Sequence, residues 1–314
     1  MWGNALGWTI SLVLVVATAG AIRWLDRNAR MISAPTAFVE DHANLAIALP
    51  IPPGTIVDMT DPADAAAIYR GAIDDYNQQP YIYERFARDG RLHDLDSVPT
   101  LDNLTGATHS ASANIFAANP SEIVNYNDDK PALDALRTLG ACAIRAGQLI
   151  EKDQPQHAMQ LYEATFSLGT KLYQERLIYA ELDAGLTMMA QSATLIGLLE
   201  PDRADATRKF NETRKDFVIS QIQPTLRILS SIYQKVLEEH AGDVFYFAQH
   251  ASERMWRVEA ILKIGRYRFN AGRVGDQRAA MSALEKLSHD PDPTIRAATN
   301  AAENLTEQLY RMLH

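Results

Sequence analysis

Residues 131–150 read PALDALRTLGACAIRAGQLI, and this stretch decides the fold. Pro131 suits a first helical position, where its missing N–H is no loss. Behind it Leu133, Leu136, Leu139, Ile144 and Leu149 recur as the apolar series of an amphipathic helix. Asp153 and Pro155 punctuate the chain, and a second helix carries Met159, Leu161, Tyr162, Phe166 and Leu172. A third runs from near Glu175 to Leu199, where Glu200-Pro201-Asp202 stops it. The pattern continues as a helix over about 204–239, with Pro224 as a kink, and another over about 243–270 between Gly242 and Gly272. Two shorter helices follow, over about 276–288 and 294–313. Every connection after residue 130 is short, which makes successive helices antiparallel neighbours. The domain is therefore expected to be all-α, with no strand after residue 60.

Before residue 131 the pattern is weaker. Asp61 reads as a helix cap, Pro62 as the first helical residue and Asp64 as a charge complementing the positive helix end. Ala65, Ile68, Tyr69, Ala72, Ile73 and Tyr76 follow at helical spacing. Pro80 interrupts, and a short helix is expected from Tyr81 to Arg88. Residues 91–128 offer only Leu101, Leu104, Ile115 and Phe116 as a fragment of helix. Residues 31–60 hold Pro35, Pro50, Pro52, Pro53 and Gly54 without helical period, and read as a Pro-rich tether.

Helix boundaries recur at intervals of about 40 residues, the size of a helix-hairpin repeat. Asp290-Pro291-Asp292-Pro293-Thr294-Ile295-Arg296 leads into Ala298, Ala302 and Leu305. This resembles the second helix of a HEAT repeat: the aspartate caps, the proline starts the helix, and the alanines admit a close neighbour. Residues 132–173 resemble a tetratricopeptide hairpin through Leu136, Leu139-Gly140, Ala143, Ala158 and Tyr162. Its first helix and turn are about six residues longer than that repeat. The resemblances imply helix-hairpin repeats of the α-solenoid class over residues 61–314.

The first 22 residues carry no charged side chain, and as a helix they span roughly 33 Å, enough for a ~30 Å hydrocarbon core. Trp2, Trp8 and Trp24 lie at or near the ends, where indole rings favour the interface, and Arg23 and Arg27 follow. Residues 1–30 are thus expected to form a single N-terminal transmembrane helix with a basic flank, in contact with lipid over 1–24. The positive-inside rule then places the C-terminal domain in the cytoplasm. Two readings compete with this one: a cleaved signal peptide, cut at Ala17-Thr18-Ala19 or Ala19-Gly20-Ala21, although no Lys or Arg precedes the apolar run, and a buried core helix, which rarely lacks every charge for 22 residues.

The whole chain has 314 residues, 47% hydrophobic and 22% charged, which excludes wholesale disorder. A net charge of -9 counts against generic nucleic-acid binding. The single cysteine, Cys142, forbids an internal disulfide and reads as a small core residue rather than a nucleophile. No phosphate loop, dinucleotide fingerprint or zinc helix occurs, and His93, Asp94 and Asp96 are only a polar loop. No catalytic residue, cofactor or metal is assigned.

One segment stands out. Arg254, Arg257, Arg266, Arg268 and Arg273, with Lys263 and Arg278, interleave with Trp256, Tyr267 and Phe269. Two readings compete: a cationic surface for a partner, or arginines paired with acids of neighbouring helices. The run Phe245-Tyr246-Phe247 and Tyr76, Tyr81 and Tyr83 are a second aromatic set, more simply read as core. The expected function is a membrane-anchored scaffold for protein–protein interaction. The alternatives are an all-α enzyme with a site assembled around His109, Asp183 or His250, or a lipid- or RNA-binding domain using residues 254–278.

Overall fold

The computed structural model describes residues 32–313 together with Thr18. The expected transmembrane helix, with Trp2, Trp8, Arg23, Trp24 and Arg27, lies outside the described residues.

The described chain begins with a strap. Residues 32–57 include α1 (Ala37–Ala43), and Val39, Ala43, Ile47, Leu49, Ile56 and Val57 are buried in the main core. This corrects the expectation of a tether holding the domain clear: the segment is laid along the helices. Its prolines rule out a long helix but leave the backbone free to bond sideways.

The second correction concerns residues 61–64, which form β1 (Asp61–Asp64) rather than a helix start. β1 runs parallel to β2 (Ser110–Ser112), so the region beyond residue 60 does contain strands. Asp64, not Asp61, serves the following helix, its Oδ1 accepting the Ala66 N–H at 2.8 Å while Asn114 holds Oδ2 at 3.0 Å. Helix α2 (Ala66–Gln78) follows, then α3 (Pro80–Asp89) and α4 (Thr100–Thr105). They bury Tyr69, Tyr83, Phe86 and Leu104 against the helices after residue 130.

Those helices are α5 (Pro131–Ile150), α6 (Pro155–Glu175), α7 (Tyr179–Leu199) and α8 (Ala204–Phe217). Each packs chiefly on the next. Gly140 lies beside Thr165 and Gly147 beside Tyr162, the register of an antiparallel pair. At the α6–α7 crossing Gly169 and Gly185 face each other, and a Cβ on either would stand under 3 Å from the other's carbonyl. Helix α7 alone among the described residues is long and apolar enough to cross a membrane. Half of that stretch is buried within the protein, and its position between α6 and α8 accounts for its apolar composition.

The helix expected over 204–239 is three pieces. A π-turn (Val218–Ile222) joins α8 to α9 (Gln223–Leu229), and α10 (Gln234–Glu239) is separate. The wider turn sits just before Pro224, which has no N–H for the carbonyl four residues back. The helix expected over 243–270 is likewise two: α11 (Ala241–His250) and α12 (Arg254–Asn270). At the break the Ser252 N–H donates to Ala43 O at 2.7 Å, and Glu253 accepts the Ile47 N–H at 2.7 Å, so the strap satisfies the interrupted ends. Helices α13 (Val274–Leu287), α14 (Pro293–Glu303) and α15 (Leu305–Leu313) complete the chain, with α12 central among α11, α13 and α14.

The Asp-Pro turn before α14 behaves as its sequence implies. Asp292 Oδ1 caps Thr294 N–H at 2.8 Å, and Ala298 and Ala302 are buried. Arg296 differs: it donates to the carbonyls of Asp290 and Pro291 in its own turn. The described chain is thus mostly α-helical with packed helix–helix contacts, an arrangement compatible with a helical-repeat fold.

Candidate functional site

Helix α12 carries most of the basic segment, and the structure divides it. Arg254 donates to Glu175 O at 3.1 Å, and Arg257 donates to Ala248 O at 3.2 Å and to the Asp290 carboxylate. Burial raises the Asp290 pKa, but the Arg257 bond and the Asp292 N–H outweigh it and leave the carboxyl below its usual range. These two arginines join helices to one another, which is the pairing reading of the segment.

The remaining cations emerge on two faces. On one, Lys263 and Arg266 are half-buried, a turn apart, and look across a cleft of about 570 Å³ toward Lys130. Arg266 lies over the Tyr126 ring, 5.9 Å from its centre, and the Tyr126 hydroxyl donates to Leu262 O. On the other face, Arg268 lines a smaller cleft of about 280 Å³ with Phe269, Gln277 and Met281. Arg273 is exposed at the start of α13, near Val274. Phe269, Val274 and Met281 are each about half exposed, at 49%, 49% and 50%.

The aromatic run separates as core. Phe245 and Phe247 are buried, Phe245 meeting Tyr267 edge-on at 6.5 Å, and Tyr76 and Tyr83 are buried too. Tyr81 is exposed.

The residues named for an enzyme do not meet. His109 is exposed and bound to Asp58 O at 2.9 Å, and Asp183 and His250 are exposed on different helices. Cys142 is buried against Tyr83 O at 3.2 Å, and burial pushes its thiol up to about 12, away from thiolate chemistry. His93 is an exposed neighbour of Asp94, and among the described residues no group of three His, Cys, Asp or Glu is placed to hold a metal.

The perturbed groups instead lie along α6, where Ser167, Lys171 and Glu175 repeat one turn apart and are all buried. Lys171 donates to Ser167 Oγ at 2.7 Å, and Ser167 donates to Thr108 O at 2.7 Å. Burial depresses the Lys171 pKa to about 8, and no ion pair with a carboxylate relieves it among the described residues. The Tyr69 hydroxyl is buried beside Ser167, and burial raises its pKa. Glu175 accepts the N–H groups of Ile115, Phe116 and Ala117 at 2.9, 2.7 and 2.6 Å, which pins the loop covering this stripe. Burial still raises its pKa, and Glu181 is raised further by burial and by the Glu175 charge.

Residue types alone offered one signal for this stripe, the four-residue spacing of Ser167, Lys171 and Glu175 inside an otherwise apolar helix. The 570 Å³ cleft had none, because Tyr126 and Lys130 are far along the chain from Lys263 and Arg266. The chain matches no family model, no curated protein and no solved structure.

Proposed function

We propose that the chain is a membrane-attached helical scaffold of the α-solenoid class that recruits a protein partner through the α12–α13 face. The observation that carries this reading is the cleft that Phe269 and Met281, each about half exposed, share with Arg268, with the equally exposed Val274 two turns before Met281 on α13 and Arg273 at that helix's start. Aromatic, Met and Arg side chains are the types enriched at partner surfaces, and lone apolar residues would need no explanation. The two cations select a partner segment with acidic residues flanking an apolar anchor. Attachment follows from the uncharged first 22 residues and from Trp2, Trp8, Trp24, Arg23 and Arg27 at and beyond their ends.

A photoreactive amino acid placed at position 269, 281 or 198 in the full-length protein tests this in intact cells. Leu198 is 75% exposed on α7 and serves as the control. Discrete adducts are expected from positions 269 and 281, weakened by Arg268→Glu and absent from position 198. Adducts that ignore the charge reversal, or that arise equally at position 198, would sink the reading.

A further inference from the structure

The cleft beside Lys263 and Arg266 lies on the face of α12 away from Arg268, and it has the makings of a small-molecule site. Its volume of about 570 Å³ falls within the usual range for such sites, roughly 300–1,000 Å³. Its walls are mainly apolar, with Ile232, Leu262, Leu309 and Met312 among the residues that line it. Ile232 is 73% exposed and Met312 39%, so this wall presents hydrocarbon to solvent.

The charges are the informative part. Lys263 and Arg266 are half-buried, and neither forms an ion pair among the described residues. The acids that face the cleft are Glu259 and Asp128. Glu259 accepts the Tyr179 N–H at 2.9 Å and acts electrostatically on Lys130, as does Asp128. Lys130 is in addition held by Asn127 O at 2.9 Å and Asn125 Oδ1 at 3.3 Å. Glu259 stands on α12 itself, one turn before Lys263, but its carboxylate is engaged by the Tyr179 N–H, and the three cations of the cleft, Lys130, Lys263 and Arg266, outnumber its two acids. Tyr126 fixes the guanidinium of Arg266 from below.

We propose that this cleft binds a single-chain anionic amphiphile. Lys263 and Arg266 hold its carboxylate or phosphate head, and Ile232, Leu262, Leu309 and Met312 receive the chain. An isolated anion would leave the apolar wall wet, and a neutral chain would leave two half-desolvated cations unpaired. Only a ligand with both parts satisfies the site. The site is separate from the α12–α13 partner face and does not depend on it.

The test uses the full chain in phosphatidylcholine nanodiscs with a diazirine-bearing palmitate as photoprobe. Labelling is expected on peptides containing Leu262, Leu309 and Met312. It falls about tenfold in the Lys263→Gln/Arg266→Gln double variant. Oleate or lysophosphatidate competes, and which of them wins identifies the head as carboxylate or phosphate. Ile232→Glu, at an exposed position, also lowers labelling and leaves the helical circular dichroism unchanged. The proposal is overturned if the double variant labels like the parent, or if neutral monoolein competes equally. Competition by inorganic phosphate alone would reduce the cleft to an anion site, and competition by a Glu-rich peptide would give it to a protein segment; either also overturns it.

Discussion

At the residue scale, the most informative side chain is Lys171. It lies about one turn before the C-terminal end of α6, fully buried, with Ser167 Oγ as its hydrogen-bond acceptor. A pKa lowered from 10.5 to about 8 corresponds to about 3 kcal/mol against folding while the group is charged. Lys171→Met is therefore expected to stabilise the protein at pH 7 by about 2 kcal/mol, read as a higher Tm. The pH dependence has a definite sign. The unfolded chain holds the proton up to 10.5 and the folded chain loses it near 8, so parent stability rises with pH across that interval. In the Met variant the rise disappears, and the difference between the two proteins narrows from pH 8 upward. Glu181 works in the opposite direction. Its folded pKa is raised, so the stability it permits is complete below 4.5 and is lost as pH climbs through the raised value. Glu181→Gln should melt with a flatter dependence on pH above 4.5. A Gln variant that tracks the parent would show that the carboxyl is already ionised in the fold.

At the element scale, sequence period and burial agreed best where a helix meets its neighbours along one stripe. Leu133, Leu136 and Leu139 of α5 are all buried, and so are Leu161, Tyr162 and Phe166 of α6. Periodicity failed where the deciding partner is remote. The break at residues 251–253 depends on Ala43 and Ile47, more than 200 positions earlier, and no local window contains them. The turn at Arg176 is similar: its φ of 26° is uncommon for a side-chain-bearing residue, and Glu253, in the break before α12, holds the guanidinium at 3.1 Å. The strap itself depends on Gly242, where a Cβ would run into the Ser33 carbonyl. Gly242→Ala is expected to detach residues 33–36 from α11, breaking the Thr36 bonds to the buried Asp243. Hydrogen exchange should show the Thr36 amide losing protection while α6 amides keep theirs.

At the scale of the whole molecule, composition gave the class but not the division of labour among the arginines. Arg254 and Arg257 look the same as Arg268 and Arg273 in a list of basic residues, yet the first two tie helices together. Arg257→Ala is expected to cost about 2–3 kcal/mol, since it leaves Asp290 half-buried without its partner. Arg273→Ala, at an exposed position, should change stability by less than about 0.5 kcal/mol. Paired thermal melts check both, and equal effects would mean that Arg257 is not a structural residue. The 570 Å³ cleft was invisible for the same reason as the strap, because folding alone brings its walls together.

The strap also sets a distance. A free chain over residues 31–60 would reach on the order of 100 Å at full extension. Docking from Ser33 onward leaves residues 23–32 between the uncharged N-terminal segment and the first fixed point on α11. Ten residues reach at most about 35 Å. On the reading proposed above, in which residues 1–22 lie in a bilayer, the helical body would be confined to a shell about one domain deep beside the membrane, on a short leash rather than a long one. Any pull on that leash arrives first at Ser33, Thr36 and Asp243, which makes this corner the point where load would enter the protein.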